Sequence, residues 1–190
     1  MSTDFAAARL NMVESQIRTA DVTDLPLQDA LRVVAREAVV PASKAYLAYA
    51  DADIEYAPGR WLLRPREVGK LLQVLKPREG EKALAIAAPY AAAVLEKMGL
   101  LVTRLDGDDL RTAPTGSYDV IICEGAVAVA PKTWQDALAA GGRLGVIERT
   151  GPVGRAAIYL RAEDGVGRRQ QFDASPPLLA GFETEAGFSF

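Results

Sequence analysis

The chain has 190 residues, 49% of them hydrophobic and 25% charged, a balance expected of a globular chain of single-domain size. The 22 basic and 25 acidic side chains leave a formal net charge of −3, so no global attraction draws it to phosphate backbones or anionic lipid, and neither nucleic acid nor membrane is expected as a partner. Histidine is absent and cysteine occurs once. That excludes Ser-His and Cys-His nucleophilic pairs, histidine bases, an internal disulfide and structural zinc.

Met1 to Asp4 is not a basic region leading into an apolar stretch, and no apolar run approaches the ~20 residues that cross a bilayer. Cys123 lies in the run Val120-Ile121-Ile122-Cys123, where it reads as a small buried hydrophobe of a reducing compartment. A cytoplasmic protein is expected.

In chain order, Leu10, Val13 and Ile17 recur at helical spacing, and Thr23-Asp24 starts a second helix that carries Leu27, Ala30, Leu31 and Val34. Residues 41–64 mix Pro41, Pro58 and Gly59 with Tyr46, Tyr49, Tyr56 and Trp61, which reads as a packed loop-rich segment. A third helix from Pro65 presents Val68, Leu71, Leu72 and Leu75 and ends at Lys76-Pro77. Short apolar runs then alternate with helical stretches: 83–87 and Tyr90 to Met98, 100–105, 118–123 and Pro131 to Ala139, 143–148. That alternation predicts βα units and a mainly parallel sheet with helices on both faces. Arg155 to Ala162 and Val166 to Asp173, joined around Asp164-Gly165, predict an antiparallel hairpin on its edge. Phe172, Leu178, Leu179, Phe182, Phe188 and Phe190 carry too much apolar surface to stand in water, so the tail is expected to be structural.

Several stretches, in order, resemble the protein-L-isoaspartate O-methyltransferase family: Met12-Val13-Glu14-Ser15-Gln16-Ile17-Arg18, Arg36-Glu37 with Val40-Pro41, Ala48-Tyr49-Ala50-Asp51, Gly59 to Pro65, the strand-turn-helix at 83–95, Tyr118 to Ile122, and Gly141-Gly142-Arg143-Leu144. The resemblance implies one Rossmann-like domain over 1–190, with a helical part at 1–76, a core at 77–150 and a hairpin and tail at 151–190. It also implies S-adenosylmethionine as cofactor and methyl transfer to the α-carboxylate of an isoaspartyl residue.

The site departs from that pattern. The family's cofactor loop resembles acidic-x-Gly-x-Gly-x-Gly-Tyr, whose glycines let backbone N–H groups approach the ligand. Here Ala85-Ile86-Ala87-Ala88-Pro89-Tyr90 is two residues shorter, has no glycine, and contains a proline that cannot donate. One βα unit is absent between Leu105 and Tyr118, and the hydroxyls of the acceptor segment are replaced in Gly59-Arg60-Trp61-Leu62-Leu63-Arg64-Pro65. No catalytic residue is assigned. Ala87, Tyr90, Asp106 and Glu124 stand at the degenerate cofactor positions.

The expectation is a homologue that binds no cofactor and acts as a protein-binding or regulatory module, with a second copy or an active relative as partner. The alternative is an active S-adenosylmethionine-dependent enzyme with an unconventional loop. A third reading makes the vacated pocket a small-ligand sensor lined by Tyr90, Asp106, Glu124 and Trp134.

Overall fold

The computed structural model describes residues 4–184. Helix α1 (Phe5–Met12) opens where the Asp4 carboxylate accepts the Ala7 N–H at 3.0 Å. It runs on through a π turn, Val13–Ile17, and a 3₁₀ turn, Arg18–Ala20. The wider turn shifts the helical phase, so Met12, Val13 and Ile17 are buried whereas Leu10, expected on their face, is exposed. Asp24 caps α2 (Leu25–Val33), which buries Leu27, Ala30 and Leu31. Val34 follows in extended backbone and is only partly buried.

The segment read as loop-rich holds regular structure too short to leave a period. Two 3₁₀ stretches, Arg36–Val39 and Ala42–Leu47, precede an antiparallel pair, β1 (Ile54–Ala57) and β2 (Arg60–Leu62). Helix α3 (Pro65–Leu75) starts on proline, buries Val68, Leu71, Leu72 and Leu75, and stops at Lys76 in the left-handed conformation before Pro77.

The main sheet has the order β4-β3-β5-β6-β7-β8. Strands β3 (Lys82–Ile86), β4 (Leu101–Leu105), β5 (Tyr118–Val127) and β6 (Leu138–Glu148) are parallel, and β7 (Arg155–Ala162) and β8 (Gly165–Asp173) add the antiparallel edge. Helix α4 (Pro89–Lys97) joins β3 to β4. Residues 106–117, between β4 and β5, form neither helix nor strand, which is where the βα unit is absent.

The helix expected over 131–139 is the short α5 (Lys132–Asp136). Its last residues return to the sheet because Leu138 pairs with Tyr118, and the left-handed Gly141 with Gly142 turns the chain where a Cβ on Gly142 would meet the Tyr118 carbonyl at 2.7 Å. Arg143 fastens the sheet to α3: it donates to the carbonyls of Leu75 and Lys76 and grips Glu81 at 2.7 and 2.8 Å.

Helices α3 and α4 and the N-terminal helices pack on one face, against Ala83, Ala85, Val120 and Ile122. The other face carries Leu84, Ile86, Ile121, Cys123, Leu144 and Val146, covered by Trp134 of α5, Leu110 of the loop, and Leu179 and Phe182 of the tail. Phe172 and Leu178 are partly buried. Phe188 and Phe190 lie outside the described residues. Among those residues no helix is long and apolar enough to cross a membrane.

Candidate functional site

In an open α/β sheet, ligands bind beyond the carboxyl ends of the strands, and here β3 leads through a tight turn into α4. Ala87 in that turn has φ 45°, the left-handed conformation that glycine adopts freely and that costs an alanine roughly 1–2 kcal/mol. The loop has therefore kept a glycine-like backbone without the glycine. The Ala87 N–H donates to the Leu105 carbonyl at 2.9 Å, Pro89 has no N–H, and Ala91 supplies a free donor in the first turn of α4.

That donor is taken by the chain itself. Glu124, on β5, accepts the Ala91 N–H at 2.9 Å on one carboxyl oxygen and the Leu63 N–H at 3.0 Å on the other. The guanidinium of Arg36 lies 4.7 Å from the centre of the Tyr90 ring and donates to the Leu63 carbonyl. Arg36, Tyr90 and Glu124 are all 0% exposed. Among the described residues the Nε and Nη1 of Arg36 and the Tyr90 hydroxyl have no hydrogen-bond partner. Burial pushes the Glu124 carboxyl up to about 7, against the pull of Arg36 and the two N–H groups toward the anion. Burial lowers the Arg36 pKa and raises that of the Tyr90 phenol.

A second carboxyl, Glu67 on α3, is also pushed up to about 7, first by burial and then by Asp53. A carboxyl whose pKa is higher folded than unfolded adds stability that is complete below its unfolded value, 4.5, and lost as pH rises through 7. Each should contribute a loss of no more than about 3 kcal/mol across that window. Urea melts from pH 5 to 8 should show Glu67→Gln and Glu124→Gln with a flatter decline than the parent chain; parallel curves would remove this assignment.

The four candidate positions separate into two places. Tyr90 stacks beneath Arg36, and Glu124 and Arg36 hold the Leu63 N–H and carbonyl respectively, with Ala87 in the turn just before Tyr90. Asp106, at the exposed end of β4, instead accepts the Tyr56 hydroxyl at 2.8 Å, and Arg60 donates to the Gly107 carbonyl at 2.7 Å, so the β1–β2 hairpin is fastened to this corner. Trp134 does not join them. It packs on the opposite face of the sheet, donates to the Leu110 carbonyl at 2.7 Å and lies 5.5 Å from Phe182.

Ala87, Tyr90 and Glu124 are fully buried, so none of the three faces an open cleft. Open clefts lie elsewhere, such as one of 730 Å³ beside Arg18 and Arg32 and one of 660 Å³ beside Lys132 and Arg161. In the acceptor segment Leu63 is core and Trp61 half-buried, while Arg64 pairs with Asp53 at 3.1 Å. Arg36 was visible in the sequence as part of the Arg36-Glu37 motif, but nothing there distinguished it from its neighbour. Glu37 serves a different network, pairing with Arg9 at 2.9 Å and accepting the Tyr49 hydroxyl.

The parallel βα core with an appended antiparallel hairpin, and a site at the β3–α4 turn, define a Rossmann-like fold of the methyltransferase type. No family model matches the chain. It is 31% identical to a protein-L-isoaspartate O-methyltransferase of Methylorubrum populi over 92% of this chain and 96% of the relative, and 29% identical to that of Methylorubrum extorquens over 95% and 92%. A Plasmodium falciparum protein of the same name, solved in complex with S-adenosyl-L-homocysteine, superposes with a TM-score of 0.75 at 13% identity, covering 94% of this chain and 99% of its own. Another solved protein-L-isoaspartate O-methyltransferase gives 0.70 at 16% identity, over 92% and 67%. This chain belongs to the protein-L-isoaspartate O-methyltransferase family.

Proposed function

We propose that this member of the family does not use S-adenosylmethionine and serves as a protein-binding module built on the methyltransferase fold. The observation that carries the reading is the placement of Glu124: its carboxylate occupies the Ala91 N–H at the start of α4 together with the Leu63 N–H. A cofactor approaching that turn would have to displace a buried carboxylate that already satisfies those donors. Arg36 and Tyr90 lie beside it at 0% exposure, Pro89 contributes no donor, and Ala87 puts a methyl group where close backbone approach calls for glycine. Asp106, another of the degenerate cofactor positions, is engaged by Tyr56. The residues present at this turn do not fit the cofactor.

The second reading, an active carboxyl methyltransferase with an unconventional loop, is favoured by the similarity along nearly the whole chain to relatives that carry the enzyme's name. Isothermal titration with S-adenosylmethionine and S-adenosylhomocysteine separates the two, alongside methyl transfer to an isoaspartyl peptide. The expected result is no heat of binding at micromolar ligand and no transfer. A dissociation constant in the low micromolar range, or turnover abolished by Asp106→Ala, would restore the enzyme.

A further inference from the structure

Strand β4 ends the sheet on one side, and its sequence Leu101-Val102-Thr103-Arg104-Leu105 contains neither proline nor a run of charge to block pairing. Leu101 is 63% exposed, and Thr103 and Arg104 are exposed with it. The Leu101 N–H donates to the Glu81 carbonyl at 2.9 Å and the Leu105 carbonyl accepts from Ala87, so residues 101, 103 and 105 direct their backbone groups toward β3. By the alternation of a strand, Val102 and Arg104 direct N–H and C=O outward, to an edge that no other strand covers among the described residues.

We propose that this edge pairs with the same edge of a second copy of the chain, antiparallel about a two-fold axis through Thr103. This names the partner for the protein-binding reading above and rests on that half of it alone. In that register Val102 faces Arg104 of the other copy as a hydrogen-bonded pair, and the reciprocal pair completes the set, so every outward group of β4 is satisfied in both copies at once. A register moved by one residue would set inward-bonded residues opposite the outward ones and leave the edge unpaired.

The side chains agree with the same register. Leu101 meets Leu105 of the other copy, Thr103 meets its symmetry mate, and no like charges stand directly opposite, since Arg104 faces valine and keeps its own partner Glu96 at 2.9 Å. The far edge of the sheet offers no such match. Strand β8 carries Arg168-Arg169 and is exposed along most of its length, and the charge protects it against pairing.

The test uses the full chain. Light scattering on a dilution series should show the apparent mass doubling as concentration rises toward the hundred-micromolar range. Thr103→Lys, which sets two ammonium groups against each other on the axis, should stay monomeric with an unchanged melt, because Thr103 is exposed. In Thr103→Cys the two sulfurs come from a pair whose Cα atoms stand about 4.5 Å apart, within disulfide reach. Mild oxidation should therefore give a covalent dimer many times faster than with Val153→Cys, a surface control that is 59% exposed; the native Cys123 is buried and takes no part. A chain monomeric at all concentrations, with Thr103→Cys linking no faster than the control, would overturn the proposal. The cofactor titration would stand unaffected by that result, so the two failures remain distinct.

Discussion

Arg36→Ala is expected to lower the unfolding free energy by about 3–5 kcal/mol at pH 8. At that pH Glu124 is largely ionised, since its carboxyl titrates at about 7, and the guanidinium, joined to it through the Leu63 backbone rather than by a direct ion pair, favours that anion in a fully buried site. Removing Arg36 also leaves the Leu63 carbonyl without its donor and opens a void over the Tyr90 ring. At pH 5.5 the carboxyl is mostly protonated, so only the void and the lost donor remain, and the expected loss falls to about 2–3 kcal/mol. Arg36→Met, which keeps much of the volume without the charge, should lose less at pH 5.5 than at pH 8. Chemical denaturation of the three chains at both pH values reads this directly. A loss below 1 kcal/mol, or one independent of pH, would mean that Arg36 and Glu124 are not energetically coupled.

The second large effect concerns the tail. Leu179→Ala and Phe182→Ala should cost about 2–5 and about 3–5 kcal/mol respectively, and a chain ending at Ser175 should lose its cooperative melt. Both side chains are buried, Phe182 against Trp134 and below the Arg111 guanidinium, 4.6 Å from its ring centre. The backbone is equally committed. Ala126 donates to the Pro177 carbonyl at 3.0 Å and accepts from Leu179 at 2.8 Å, and Ala128 donates to the Phe182 carbonyl at 2.8 Å, so truncation would orphan these groups at the end of β5. Thermal melts followed by near-ultraviolet circular dichroism of Trp134 would register the loss. A truncated chain with an unchanged melt would show that the tail only rests on the sheet.

The tail has this weight because of what is absent on its side of the sheet. Helices α3 and α4 cover one face, while among the described residues the other has only the short α5, and residues 106–117 cross it without a helix. Leu84, Ile86, Ile121 and Val146 would otherwise be wet, and Leu179 and Phe182 close that face together with Leu110 and Trp134. The approach is close: a Cβ on Gly125, which has φ 92°, would come within 2.7 Å of the Leu179 side chain.

The sequence alone determined the elements whose pattern is local. The period of Val68, Leu71, Leu72 and Leu75 and the closing Lys76-Pro77 mark α3, and the apolar runs at 83–87, 118–123 and 143–148 mark the parallel strands, because burial on one stripe or on both faces of a strand leaves a period that can be counted. The shortened, glycine-free turn at Ala87-Ala88-Pro89 was equally visible, since the residues that permit close backbone approach are few. Only the tertiary structure decided what stands in that turn's place. Glu124 reaches Ala91 and Leu63 across 33 and 61 residues of chain, and Arg36 reaches Leu63 across 27. The exposure of Leu10, the early end of α5 and the position of Trp134 on the far face were hidden for the same reason: a π turn, a strand return at Leu138 and the crossing of a sheet each depend on partners distant in sequence, and a one-dimensional pattern records which residues seek burial but not which neighbour meets them.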